Sequence, residues 1–131
     1  MNLYLNFLAY AGTALLMLII GLIVFELTTK NEKFKMIGQG NRAAAMVIGG
    51  KLLGIAFVIG SAMEYSISII DMIIWGSIGI LAQIIASILA EVVTIRFSIK
   101  EAIDKDNRAV GTFLLLMSLA IGWVISKALT Y

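Results

Sequence analysis

Cysteine, histidine and proline are all missing from this 131-residue chain. Without cysteine there are no disulfides and no thiolate chemistry, and without histidine as well the usual zinc and haem ligand sets are excluded. The redox compartment is therefore unreadable from composition. Charge is scarce too: 14% of residues are charged, where a soluble domain carries roughly a quarter. Hydrophobic residues make up 61% of the chain and its mean hydropathy is +1.03. That composition points to a membrane protein. The net charge of +2 is too small to indicate nucleic-acid binding, so the placement of the charges matters more than their sum.

Four apolar segments are long enough to cross a bilayer, which needs about 20 residues per helix. They are predicted at about Leu3–Phe25, Ala43–Ala62, Ile70–Ile95 and Ala109–Leu129. The first has no basic flank before it and no small-residue cleavage site after it, so it reads as a retained span, not a signal peptide. Lys30, Lys33, Lys35 and Arg42 lie between the first two spans, and Arg96, Lys100, Lys105 and Arg108 between the last two. The positive-inside rule makes that side cytoplasmic and both termini external. Tyr4, Tyr65, Trp123 and Tyr131 then gather near the outer interface.

The chain repeats itself. A shift of 66 places Asn41-Arg42-Ala43 on Asn107-Arg108-Ala109, and Leu53, Ile55, Val58, Ile59 and Ala62 on identical residues. A shift of 65 places Glu26 and Thr29 on Glu91 and Thr94, implying one extra residue in the second loop. The expected fold is all-α and integral to the membrane: four transmembrane helices formed by two parallel, same-orientation two-helix hairpins, within a single domain (repeat 1 about 1–65, repeat 2 about 66–131). Parallel repeats of this kind are related by an axis along the membrane normal.

Small residues recur every four positions at Gly50 and Gly54, at Ala82, Ala86 and Ala90, and at Ser118, Gly122 and Ser126. Such stripes let helix backbones approach closely in lipid. They serve packing within the bundle or a contact between subunits. Four short helices enclose little interior, so a homo-oligomer is expected.

The polar residues divide into two groups. Asn41 and Asn107 stand where the second helix of each repeat begins, and asparagine is among the best N-caps. Arg42 and Arg108 fall at headgroup depth, where they can meet lipid phosphate or a carboxylate. The second group is deeper. Glu26 and Glu91 each end a span, roughly 6–8 Å inside it, and Lys51 lies about 13 Å beyond Arg42 at 1.5 Å per residue. A lysine stem can snorkel back to the level of the glutamates. Ionisable groups in spans usually face the bundle interior and find a partner; Gln83, mid-span in the third helix, is a fourth interior candidate. One reading makes Glu26, Lys51, Gln83 and Glu91 a satisfied polar lock. The other makes them the lining of an ion or proton path, or of a small polar binding site. Lys51 has no counterpart in the second repeat, where Met117 stands.

Ile95, Ile99 and Ile103 are spaced by four in the second cytoplasmic segment, which predicts an amphipathic helix at the membrane surface. The first cytoplasmic segment, KNEKFKMIGQGN, lacks such a stripe.

Four spans in two hairpins, the GQGN-R-A-A entrance, the Glu-x-x-Thr exits and the DNRA second copy together resemble the YjfL family, which carries the domain of unknown function 350. The resemblance covers essentially the whole chain. It implies a multi-pass protein of the bacterial cytoplasmic membrane, with genes often near those for phage-shock-type coat proteins and other envelope-maintenance factors. It carries over no catalytic residue.

Enzyme activity is not expected, since no nucleophile–base pair, metal set or phosphate loop appears, and no cofactor is implied. A small multidrug-resistance exporter has the same size and number of spans, but Glu26 is too near the cytoplasmic end for that mechanism and the positive bias argues against dual topology. Two functions remain. The first, preferred because three mutually neutralising groups make a poor open pathway, is an oligomeric scaffold or envelope-stress component. Its basic cytoplasmic face would engage anionic lipid or a soluble phage-shock-type coat protein. The alternative is a small ion or proton pore, or transporter subunit, using the Glu/Lys cluster.

Overall fold

A computed structural model describes residues 2–27, 33–94 and 99–129. These form six helices: α1 (Leu3–Leu27), α2 (Lys33–Gly38), α3 (Arg42–Tyr65), α4 (Ile69–Thr94), α5 (Ile99–Asp104) and α6 (Arg108–Ala128). The four long ones are the expected spans, each long and apolar enough to cross a bilayer. Thr29, Lys30, Ile95, Arg96 and Tyr131 lie outside the described residues.

Local chemistry sets where the helices begin. The side chain of Asn41 accepts the Ala44 N–H at 2.9 Å and that of Asn107 accepts the Val110 N–H at 3.3 Å, so each satisfies a first-turn donor that has no partner inside its helix. At α4 the Ser68 hydroxyl accepts the Asp71 N–H while the Asp71 carboxylate reaches back to the Ile67 N–H, both at 3.1 Å. The short helices α2 and α5 end alike. Gly40 (φ 89°) and Asp106 (φ 54°) are left-handed, and the following N–H groups, of Asn41 and Asn107, bond back to the Met36 and Ala102 carbonyls at 3.0 and 2.9 Å. This is the Schellman way of ending a helix, which normally wants glycine.

Asp106 has a reason to stand where glycine is favoured. Its Oδ1 accepts the Ala43 N–H at 2.8 Å, and Asn41 Nδ2 donates to the Ile103 carbonyl at 2.6 Å. The corner after α5 is thereby tied to the start of α3. Asp106→Ala, which keeps the strained backbone and loses the cap, is expected to cost about 1–2 kcal/mol. Asp106→Gly loses the same bond but relieves the left-handed strain, so it is expected to cost clearly less. Thermal unfolding of the two variants in detergent checks the order.

Helix boundaries recur at one interval: the starts at Leu3 and Ile69 and at Arg42 and Arg108, and the ends of α2 and α5 at Gly38 and Asp104, are each 66 apart. The shift of 65 that matches Glu26 to Glu91 does not extend to the starts of α1 and α4. The two glutamates therefore differ by one step in helical register, about 100° around the axis.

Glycine governs the packing. A Cβ on Gly122 would lie 2.5 Å from Gly54 Cα, one on Gly50 would lie 2.7 Å from Leu115 Cα, and one on Gly111 would lie 2.9 Å from Ala43 Cα. The backbones of α3 and α6 thus touch along their length, running in the same direction. Val58 against Gly79, and Met17 and Ala62 against Gly76, set α4 antiparallel to α3 and parallel to α1. Both chain ends therefore sit at one end of the bundle and α2 and α5 at the other. The stripes of α3 and α6 serve this contact. That of α4 does not: Ala82 is exposed, and Ala86 and Ala90 are only half-buried.

Two apolar clusters fill the interior. One joins Met17, Phe25, Ile55, Val58, Ile59, Ala62, Met72, Ile80, Ile84 and Leu129. The other, at the α2/α5 end, joins Ala43, Ala44, Val47, Ile103, Val110 and Leu114, with Met36, Ile37 and Ile99 against it. Ile99 and Ile103 thus pack on protein, not on the membrane surface: Ile103 is fully buried and Ile99 half-buried. α2 docks in the same way with only two adjacent apolar residues. The outer face of α1, with Leu15, Leu16, Ile19, Ile20 and Ile23, stays exposed, as a lipid-facing helix requires.

Candidate functional site

Because α3 and α4 are antiparallel, a residue one-third of the way into α3 meets one near the end of α4. That places Lys51 beside Glu91. Lys51 is 3% exposed, and its Nζ lies 3.6 Å from Glu91 Oε1 and 4.5 Å from the centre of the Phe25 ring on α1. The ring face attracts the ammonium, so Lys51 is held between an aromatic face and a carboxylate. Glu26, next to Phe25, also acts on Lys51 through its charge. One ammonium therefore sits among two carboxylates. The Lys51–Glu91 separation exceeds the 2.7–2.9 Å of a tight charge-assisted hydrogen bond. Glu91 is 19% exposed, which puts the pair at the edge of the interior.

Gln83 and Ser87 precede Glu91 on α4 at intervals of four, so the three share one face. Gln83 is 0% and Ser87 2% exposed. Neither amide atom of Gln83 nor the Ser87 hydroxyl has a hydrogen-bond partner among the described residues. The Gln83 amide occupies the space that a side chain at position 54 would fill, and the Ser118 carbonyl oxygen borders the same space, 2.8 Å from where that Cβ would stand. Gly54 thus makes room both for α6 and for a polar side chain. Beyond Gln83 the surroundings become apolar, with Ile55, Val58, Ile80 and Ile84 all buried.

Lys51 and Glu91 come together on facing helices with Glu26 near, and Gln83 stands two turns from Glu91 on the same face of α4, against Gly54. Asn41, Arg42, Asn107 and Arg108 stand apart at the helix starts. There both asparagines cap, Arg42 is exposed, and Arg108 Nε lies 3.9 Å from Asp106 Oδ2. Phe25, Ser87 and Ser118 are site residues that the sequence reading missed. The signal for Ser87 was present: Gln83, Ser87 and Glu91 recur every four residues, one position after the alanine stripe that hid them. Phe25 carries no such mark, and Ser118, already part of the small-residue stripe of α6, contributes its backbone carbonyl, which side-chain spacing does not report.

Recesses among the described residues include two away from this cluster. An apolar groove of about 460 Å³ lies between α1 and α4, lined by Leu16, Met17, Ile20, Gly21 and Ile80 among others. A more polar pocket of about 350 Å³ lies at the chain-end side of α3 and α6, with Ser61, Glu64, Tyr65, Ser126 and Lys127. No group of three or more metal-type side chains forms among the described residues. The chemistry on offer at the cluster is charge pairing and hydrogen bonding inside the membrane.

Comparison with known proteins gives a consistent result. The sequence profile of the Domain of Unknown Function DUF350 matches residues 1–129. The chain is 38% identical over 121 residues to the UPF0719 transmembrane protein YshE of Bacillus subtilis, covering 92% of this chain and 90% of that protein. It is 30% identical over 127 residues to the UPF0719 inner membrane protein YjfL of Escherichia coli K12, covering 97% and 95%. No solved structure matches.

Proposed function

The chain belongs to the DUF350 family of small bacterial inner-membrane proteins, and we propose that it moves protons or another small ion through the Lys51–Glu91 cluster of its four-helix membrane domain. The observation that carries this reading is the pair itself. A buried lysine held at 3.6 Å from a partly exposed glutamate, beside a second carboxylate, is looser than a structural lock needs to be. Ionisable groups kept inside a membrane mark pathways and relays more often than packing.

The remaining parts of the proposal rest on sequence and fold together. The common interval of 66 between helix starts and the paired left-handed turns at 40 and 106 support an ancestral two-helix hairpin, duplicated in the same orientation. The positive-inside rule supports α2 and α5 on the cytoplasmic side and both termini outside. The small interior enclosed by four helices supports assembly into a homo-oligomer. No catalytic role is proposed.

Purified protein in liposomes under a proton or potassium gradient tests the reading, wild type beside Lys51→Met. Wild-type flux above that of empty vesicles is expected, with a clear change in a Lys51→Met assembly of unaltered size. In cells, a cysteine at Lys100 is expected to react with an impermeant maleimide from the cytoplasmic side only; the chain has no other cysteine. Absence of flux from intact wild type would sink the ion-path reading. The scaffold reading would then stand, with Lys35, Arg42, Lys100 and Arg108 as an exposed basic face for anionic lipid or a phage-shock-type coat protein.

A further inference from the structure

Gln83 and Ser87 pose a problem that the ion pair does not solve. A primary amide offers two donors and an acceptor oxygen, and a hydroxyl offers a donor and an acceptor. Hydrocarbon and packed aliphatic side chains satisfy none of them, and leaving them unmet is costly. Both side chains are buried, and neither has a protein partner among the described residues.

We infer that Gln83, Ser87 and the Ser118 carbonyl hold a short file of water that enters from the α2/α5 end past Glu91 and stops against the apolar layer of Ile55, Val58, Ile80 and Ile84. Three features identify the occupant as water. A buried water needs two to four polar partners, and the Gln83 amide, which itself fills the space over Gly54 beside the Ser118 carbonyl, offers them together with Ser87 one turn along the same face. A cation placed there would meet the Lys51 ammonium, and an anion would meet Glu91 and Glu26, so a neutral molecule suits a site between charges of both signs. Finally, the polar residues of α4 form one continuous face that ends at Glu91, the member of the column with access to the exterior. The inlet is one-sided. Among the described residues the Ile55–Ile84 layer separates this column from the next buried polar groups, Ser61 and Ser126, so passage across the membrane requires α4 to move or a second subunit to complete the route.

The inference deepens the ion-path reading, which gives the water its use, but hydration is testable by itself. The chain has two glutamines, Gln39 and Gln83, and Gln39 is exposed. With glutamine side-chain amides labelled with nitrogen-15 and the protein in bilayers, solid-state NMR can follow magnetisation passing from water to each amide. The Gln83 signal, assigned by its disappearance in Gln83→Leu, is expected to build up at a rate comparable to that of Gln39. A Gln83 signal that stays dark while Gln39 builds up overturns the inference. Gln83→Leu also separates function from hydration: loss of a pathway-lining group is expected to lower flux about tenfold with the fold retained. Unchanged flux beside a higher melting temperature would make Gln83 a dry, merely tolerated amide and would also overturn it. If wild type shows no flux, the ion-path reading falls, and the NMR result still decides whether the inlet is wet.

Discussion

Lys51→Met lowers the melting temperature of the detergent-solubilised protein by about 10 °C or more, and adding Glu91→Gln restores most of it. The single substitution conserves volume and apolar packing, so cavity formation does not enter. What it removes is the counter-charge of a carboxylate that is four-fifths buried. Breaking a buried pair from one side costs about 3–5 kcal/mol, whereas replacing both partners by neutral groups is often close to neutral. For a chain of this size each kcal/mol is worth roughly 3–6 °C. Glu26 leaves a residue of the effect, because its charge also bears on position 51 and remains in the double variant. If the single and double variants melt together, the two side chains are not energetically coupled and the cluster loses its centre.

The second large effect lies where no side chain exists. Gly122→Ala is expected to destabilise by about 3 kcal/mol or more, at the upper end of overpacking penalties, because the new methyl would stand 2.5 Å from Gly54 Cα and 2.7 Å from its carbonyl oxygen. Backbone atoms of a helix cannot turn aside as a side chain can, so α3 and α6 must part along their whole contact. Gly49→Ala is the matched control. A Cβ there meets nothing within 4 Å, and alanine is the better helix former by about 1 kcal/mol, so stability holds or rises. Thermal unfolding of both variants in detergent gives the comparison, and equal behaviour would contradict the packing described for the α3–α6 pair.

Much of this was legible from residues alone. Span positions follow from apolar length, and the helix starts at Arg42 and Arg108 follow from the asparagines that precede them. Lys51 announced itself as the one charge within an apolar run. Three things were not legible. Which carboxylate Lys51 meets depends on helix rotation, and apolar helices that are hydrophobic all round carry little moment to fix it. The orphaned state of Gln83 and Ser87 is a property of what surrounds them, and no spacing reports that. The docking of Ile103 also escaped, since an i, i+4 stripe beside a membrane looks the same whether it faces lipid or protein.

Contact between two backbones has a mechanical consequence. α3 and α6 have no layer of flexible side chains between them at Gly50, Gly54, Gly111 and Gly122, so they behave as a single rail of fixed gauge. α4 rides on that rail through longer groups, Val58, Leu129 and Gln83 among them, which can change rotamer as it shifts. The rail carries the ammonium and the rider carries Glu91, Ser87 and Gln83. Any swing of α4 therefore stretches the Lys51–Glu91 pair, and displacement of the helix and separation of charge become one coordinate.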